Sequence, residues 1–136
     1  MKEVEIGTKI LSDNERQAAM NREYFGSSGV TVINLIGSPG SGKTTLLERT
    51  FRDLEGRVRF AVIEGDLETD HDAAVLRKTG VPVEMINTHG ACHLNASQVR
   101  GAAEKMDLKN TDILIIENIG NLVCPSAFDL GEDFKL

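Results

Sequence analysis

Eight consecutive residues, Gly37-Ser-Pro-Gly-Ser-Gly42-Lys43-Thr44, constrain this chain more than any other feature. They match the pattern G-x-x-x-x-G-K-S/T, placed after an expected strand at 31–36 and before a helical stretch from about 43 to 54. Strand, loop and helix in that order form a phosphate cradle. The glycines let backbone N–H groups wrap an anion, and the helix N-terminus adds partial positive charge. Lys43 is suited to the β- and γ-phosphates and Thr44 to a Mg²⁺ ion, while Gly37, Ser38, Pro39, Gly40, Ser41, Gly42 and Thr45 complete the candidate nucleotide-binding set. The dinucleotide fingerprint G-x-G-x-x-G is not matched, which argues against NAD or FAD.

The rest of the chain repeats this alternation. Strands are expected over 57–64, 81–87 and 112–117. One helix runs through Val75 and Leu76 to Gly80, and another lies within 91–106. Pro82 near a strand start suits an edge position. Strands alternating with helices imply right-handed crossovers, hence a mostly parallel central sheet flanked by helices in three layers, the α/β architecture of P-loop NTPases. Ahead of it, Ser12-Asp-Asn-Glu15 resembles a capping box. It predicts a helix starting at Ser12 and ending near Gly26, with a thin stripe (Leu11, Ala18, Phe25) laid against the domain surface. The chain therefore divides into an N-terminal helix and hinge, 1–29, and the P-loop domain, 30–136.

Composition narrows the partners. Lys and Arg number 15 against 21 Asp and Glu, so broad binding to nucleic acid or anionic membrane is not expected. The longest apolar runs, such as 113–116, are far short of a membrane span, and the charged N-terminus lacks a signal-peptide core. With two cysteines there is no disulfide scaffold, and a reduced, cytoplasmic protein is the expectation.

Mg²⁺ held at phosphates calls for carboxylates at the carboxyl ends of parallel strands. Asp66, in Gly65-Asp-Leu-Glu-Thr-Asp70-His-Asp72, follows the second strand, and Glu117 closes the fourth. Both are candidates for the metal side of the site and Asp72 for a further acid, although Asp66 and Asp72 would serve equally as turn and helix caps. Cys92-His93 and Cys124 occupy loops at the same sheet edge. Thiolate and imidazole favour Zn²⁺, Ni²⁺ or Cu⁺ over Mg²⁺, yet the residues alone fit two buried thiols and a surface histidine as well. They make three ligands, one fewer than a closed tetrahedral site needs. A two-fold axis could supply more, and His71 and His89 are further donors.

Taken together, four tracts resemble the hydrogenase nickel-incorporation GTPases, the HypB family, within the P-loop class that includes the signal-recognition GTPases. They are Asn34-Leu-Ile-Gly-Ser-Pro-Gly-Ser-Gly-Lys-Thr-Thr-Leu-Leu-Glu48, Glu64-Gly-Asp-Leu-Glu-Thr-Asp70, Ala91-Cys-His-Leu-Asn-Ala96 and Glu117-Asn-Ile-Gly-Asn-Leu-Val-Cys-Pro125. Asn21-Arg-Glu-Tyr-Phe25 agrees as well. The resemblance implies a Mg²⁺-dependent GTPase that carries nickel, or zinc, to a hydrogenase large subunit with an accessory protein, and hydrolysis is expected to be slow because no obvious Gln or Arg finger is present. It also implies a homodimer promoted by GTP or metal, with Cys92, His93 and Cys124 as ligands shared across the dimer. Lys43, Thr44, Asp66 and Glu117 take the phosphate and Mg²⁺ roles.

Departures from the family pattern accompany the matches. Asn95 stands where the family commonly has Asp, which predicts a weakened helix cap or ligand support. No cysteine motif or histidine-rich stretch precedes the domain, and no N-K-x-D tract follows Asp129-Leu-Gly-Glu132. Guanine preference thus rests on the family, and 136 residues suggest the N-terminal two-thirds of a GTPase domain of about 200 residues, with an unpaired sheet edge. Two alternatives accompany this reading: a urease-type nickel accessory GTPase, which is expected to carry Cys-Pro-His, and a non-catalytic module that binds nucleotide or metal and dimerises.

Overall fold

Apolar strand runs too short to bury themselves singly are joined here into one parallel sheet. The computed structural model describes residues 2–37, 42–66, 71–88, 93–118 and 128–136, apart from the side chains of residues 2–9, 66, 71 and 72. In chain order the elements are α1 (Lys2–Ser28), β1 (Thr31–Leu35), α2 (Lys43–Asp53), β2 (Phe60–Asp66), α3 (His71–Arg77), β3 (Val83–Asn87), α4 (Ala96–Ala103), β4 (Ile113–Glu117) and β5 (Phe134–Lys135), with a 3₁₀ turn at Leu108–Asn110 before β4. The sheet order is β3-β2-β4-β1-β5, and every pairing is parallel.

Alternation along the strands builds two cores. Val32, Ile63, Leu114 and Ile116 point to one face, where α1 and α4 close over them with Phe25, Val99 and Leu130. Leu35, Val62 and Ile115 point to the other, covered by Leu47 and Phe51 of α2 and Leu76 of α3. The three-layer α/β architecture expected from the alternation is therefore present. β3 takes an edge, as Pro82 predicted. It begins two residues late because Pro82 has no N–H to give; its carbonyl accepts from Val62 N at 2.9 Å instead. β2 starts at Phe60 rather than 57, since the turn after α2, with Gly56 at φ 81°, uses up the residues between.

The first helix differs most from expectation. It is continuous from Lys2, so Ser12 lies inside it and caps nothing. A capping signature is a local preference, and with no proline nearby the cooperative extension of an existing helix overrides it. It also passes Gly26 and stops at Gly29, whose φ of 76° lets its N–H reach Gly26 O and lets Val30 N reach Phe25 O, a Schellman closure with Val30 packed near Phe25. Its inner face is not a thin apolar stripe: Ala18 and Phe25 are joined there by buried Asn14 and Asn21.

Those asparagines hold a segment that sequence patterning missed. Residues 128–136 run along the sheet's far side and end as β5, where Asp133 N donates to Val32 O, Leu136 N to Asn34 O and Ile36 N to Leu136 O, each at 2.9 Å. β1 is thus paired on both sides, and β5 lies at one edge of the described sheet, with Phe134 and Leu136 exposed.

At the opposite end of the sheet, Arg59 donates to both carboxylate oxygens of Asp112, at 3.0 and 3.2 Å. That contact lowers the Asp112 pKa, so its contribution is full above about pH 3.9 and is lost as pH falls through the lower folded value. Asp112→Asn should flatten the acid side of a melting-temperature profile; an unchanged profile would show that the pair is fully screened.

Candidate functional site

The carboxyl ends of β1, β4 and β2 lie side by side, and the phosphate loop leaves from the first of them. Gly42 is the N-cap of α2 with φ 88° and ψ 15°, a left-handed conformation that would strain any other residue by about 1–2 kcal/mol. It turns the chain so that Lys43 faces back over β1. The Lys43 ammonium donates to Gly37 O at 2.9 Å and to Asn118 O at 3.4 Å. Thr44 Oγ1 donates to Glu117 Oε1 at 3.3 Å, so the hydroxyl and carboxylate assigned to Mg²⁺ meet in the folded chain. Thr45 is exposed on the first turn of α2. Ser38, Pro39, Gly40 and Ser41 lie outside the described residues.

Burial makes the acids informative. Glu117 is 4% exposed at the end of β4. Glu64, which the sequence reading left as part of a tract, is 3% exposed and stands beside Glu117 in the β2–β4 register. Such buried carboxylates are costly without partners. Both stand in the row containing Leu35, on the face covered by α2, where Thr44 lies. Asp66 is the last residue of β2, at the phosphate edge, and Asp72 is the second residue of α3; the side chains of both lie outside the description.

Of the three soft ligands, Cys92 and Cys124 fall outside the described residues and His93 within them. The His93 ring stacks on Phe128, with centroids 3.9 Å apart and planes at 14°. Burial lowers its pKa below the ordinary histidine value, which favours the neutral form that ligates metals. Beside it opens a pocket of about 250 Å³ lined by Ile10, Asp13, Asn14, His93, Asn95, Ser97 and Phe128. Asn95 does not weaken the cap as expected. Its Oδ1 accepts from Gln98 N at 2.8 Å and Gln98 Oε1 accepts from Asn95 N at 3.0 Å, a complete capping box for α4. An amide oxygen accepts this bond as a carboxylate would.

One residue the sequence reading passed over joins the two halves. Asn118, 2% exposed, donates through Nδ2 to Asn34 Oδ1 at 3.1 Å and accepts from Leu94 N at 3.4 Å, while its carbonyl takes the Lys43 ammonium. It therefore touches both the lysine of the phosphate loop and the residue after His93. Its position directly behind Glu117 was the available signal.

Fold and site together define a P-loop nucleotide-binding domain. The family described as CobW/HypB/UreG, nucleotide-binding domain, matches residues 31–133. The chain belongs to that family. It is 54% identical over 134 residues to the hydrogenase maturation factor HypB of Azotobacter chroococcum mcd 1, covering 98% of this chain and 44% of that protein. It is 48% identical over 136 residues to the hydrogenase/urease maturation factor HypB of Helicobacter pylori strain 26695, covering 96% and 54%. The crystal structure of Helicobacter pylori HypB in complex with nickel superposes with a TM-score of 0.84 at 45% identity, covering 90% of this chain and 58% of the other. The chain spans about half the length of these relatives. None of its described helices is long and apolar enough to cross a membrane.

Proposed function

We propose that this chain is the nucleotide- and metal-binding part of a GTP-hydrolysing metallochaperone that delivers nickel during hydrogenase maturation. The observation that carries the reading is the meeting of Lys43, Thr44 and Glu117 at one sheet edge, with Asn118 linking Lys43 to the loop of His93. The similarity to a HypB crystallised with nickel supports the cargo.

The chain's own groups divide the work. Lys43 exchanges its two carbonyl acceptors for β- and γ-phosphate oxygens, and the N-terminus of α2 adds partial positive charge for the same anion. The donor set fits Mg²⁺, because Thr44 offers a hydroxyl and Glu117 a carboxylate 3.3 Å apart, both hard oxygens. When bound, the ion neutralises charge on the phosphates. Asp66 and Asp72 supply further acid at that edge, and hydrolysis is slow because the sequence offers no obvious Gln or Arg finger for the attacking water.

Nickel, or zinc in its place, is cargo held by Cys92, His93 and Cys124, with further ligands from a second copy across a GTP- or metal-promoted dimer. A hydrogenase accessory protein and the hydrogenase large subunit are the partners. The Helicobacter pylori relative described as a hydrogenase/urease maturation factor favours a second reading, in which a urease apoenzyme also receives the metal.

Coupling is the testable core. Ni²⁺ affinity, measured by competition with a chromophoric chelator, should differ between the GDP state and a non-hydrolysable GTP analogue. Cys92→Ala should lose Ni²⁺ while phosphate release from GTP continues at the parental rate. Equal Ni²⁺ affinities in both nucleotide states would sink the coupling, and no Mg²⁺-dependent phosphate release would leave a binding module.

A further inference from the structure

We infer that Asn34 is a positioning residue for the nucleotide site, acting through Asn118 to fix the spacing of two carbonyls that receive the Lys43 ammonium. This deepens the reading above and rests on Lys43 as a phosphate ligand. Gly37 O, at 2.9 Å, follows β1, and Asn118 O, at 3.4 Å, follows β4. Among the described residues, the main-chain ladder between these strands ends with Asn118 N donating to Leu35 O at 3.0 Å. Both carbonyls lie beyond that bond. There the strands are tied through side chains, with Asn118 Nδ2 donating to Asn34 Oδ1 at 3.1 Å.

The direction of this tie is dictated from its far end. Leu94 N can only donate, and it meets Asn118 Oδ1 at 3.4 Å. Asn118 Nδ2 is thereby turned toward β1, and Asn34 has to offer its oxygen. Asn34 Nδ2 is then left with no hydrogen-bond partner among the described residues, although Asn34 is fully buried. A buried donor without an acceptor is costly, and an apolar residue at 34 would avoid that cost. What the asparagine contributes in return is an acceptor for Asn118, which a leucine lacks. Alternation puts Asn34 and Asn118 on the face of Val32 and Ile116, opposite to Glu117 and Thr44. The tie therefore works from behind the sheet and leaves the nucleotide face untouched.

The test uses the full chain with GDP as probe, comparing the parent with Asn34→Leu, Asn34→Thr and Lys43→Ala. Asn34→Leu removes the orphaned donor and takes an acceptor from Asn118, two changes of opposite sign, so the melting temperature should move little. GDP affinity should nevertheless fall roughly three- to tenfold, the factor that ordering one long side chain on binding typically costs. The Lys43 ε-methylene protons, at two distinct shifts while the ammonium is held, should merge in nucleotide-free Asn34→Leu. Asn34→Thr keeps an oxygen acceptor in a strand-favouring residue, and should stay close to the parent in both readouts. Equal GDP affinity in Asn34→Leu and Asn34→Thr, with Lys43→Ala impaired, would overturn the positioning role and leave the phosphate assignment standing. A melting temperature that falls along with the affinity in Asn34→Leu would mark a merely structural residue and overturn it too. Equal binding by the parent and Lys43→Ala would overturn both readings.

Discussion

Replacing Lys43 with alanine should weaken GDP and GTP binding by roughly a hundred- to ten-thousandfold and leave the melting temperature nearly unchanged. The estimate starts from geometry. The ammonium sits between Gly37 O and Asn118 O, at the mouth of the loop, with three donors for acceptors that water or phosphate can equally supply. A hydrogen bond to a charged group contributes about 1.5–3 kcal/mol, so losing two to phosphate oxygens is about 3–6 kcal/mol, or roughly two to four decades in affinity. Lys43→Arg should rescue little, because a planar fork cannot replace a compact point charge. Titration with a fluorescent guanine nucleotide reads the effect. Unchanged affinity in Lys43→Ala would mean that the loop does not cradle a phosphate, and the nucleotide reading would fall with it.

The nucleotide half was legible in sequence for a physical reason: phosphate binding needs a fixed order of strand, glycine-rich turn, lysine and helix within a dozen residues. Local patterning also placed β1 to β4, since strands buried on both faces read as near-continuous apolar runs. What it missed depends on pairing between distant positions. Asn14 and Asn21 look like surface residues in a helical pattern, and only the fold shows them facing Ala96, Asp129 and Leu130. β5 has two residues and no alternation to detect; Asp133 defines it by accepting Val32 N at 2.8 Å through its side chain. Phe128 was silent because stacking partners 35 positions apart leave no local signal. Asn95 failed in the opposite direction, since a departure from the family's residue leaves a complete capping box in place.

Gly131→Ala should be the most damaging single methyl group in the described part of the chain. Its φ of 93° is costly for any residue with a Cβ, about 1–2 kcal/mol. A Cβ there would also lie 2.7 Å from Asn21 Cβ and 2.9 Å from Ala18 O, and the second neighbour is helix backbone that cannot rotate away. Relief requires residues 129–132 to lift from α1, which breaks the Asn21 bond to Leu130 O and leaves a buried amide short of a partner, about 1–3 kcal/mol more. The expected loss is thus about 2–5 kcal/mol. Gly29→Ala is the matched control, because Gly29 has φ 76° with nothing within 4 Å of its added Cβ and should show the backbone strain alone. Denaturant midpoints compare the two. Equal shifts would mean that residues 129–132 are not pressed against α1, whereas a larger shift at Gly131 would show that they are.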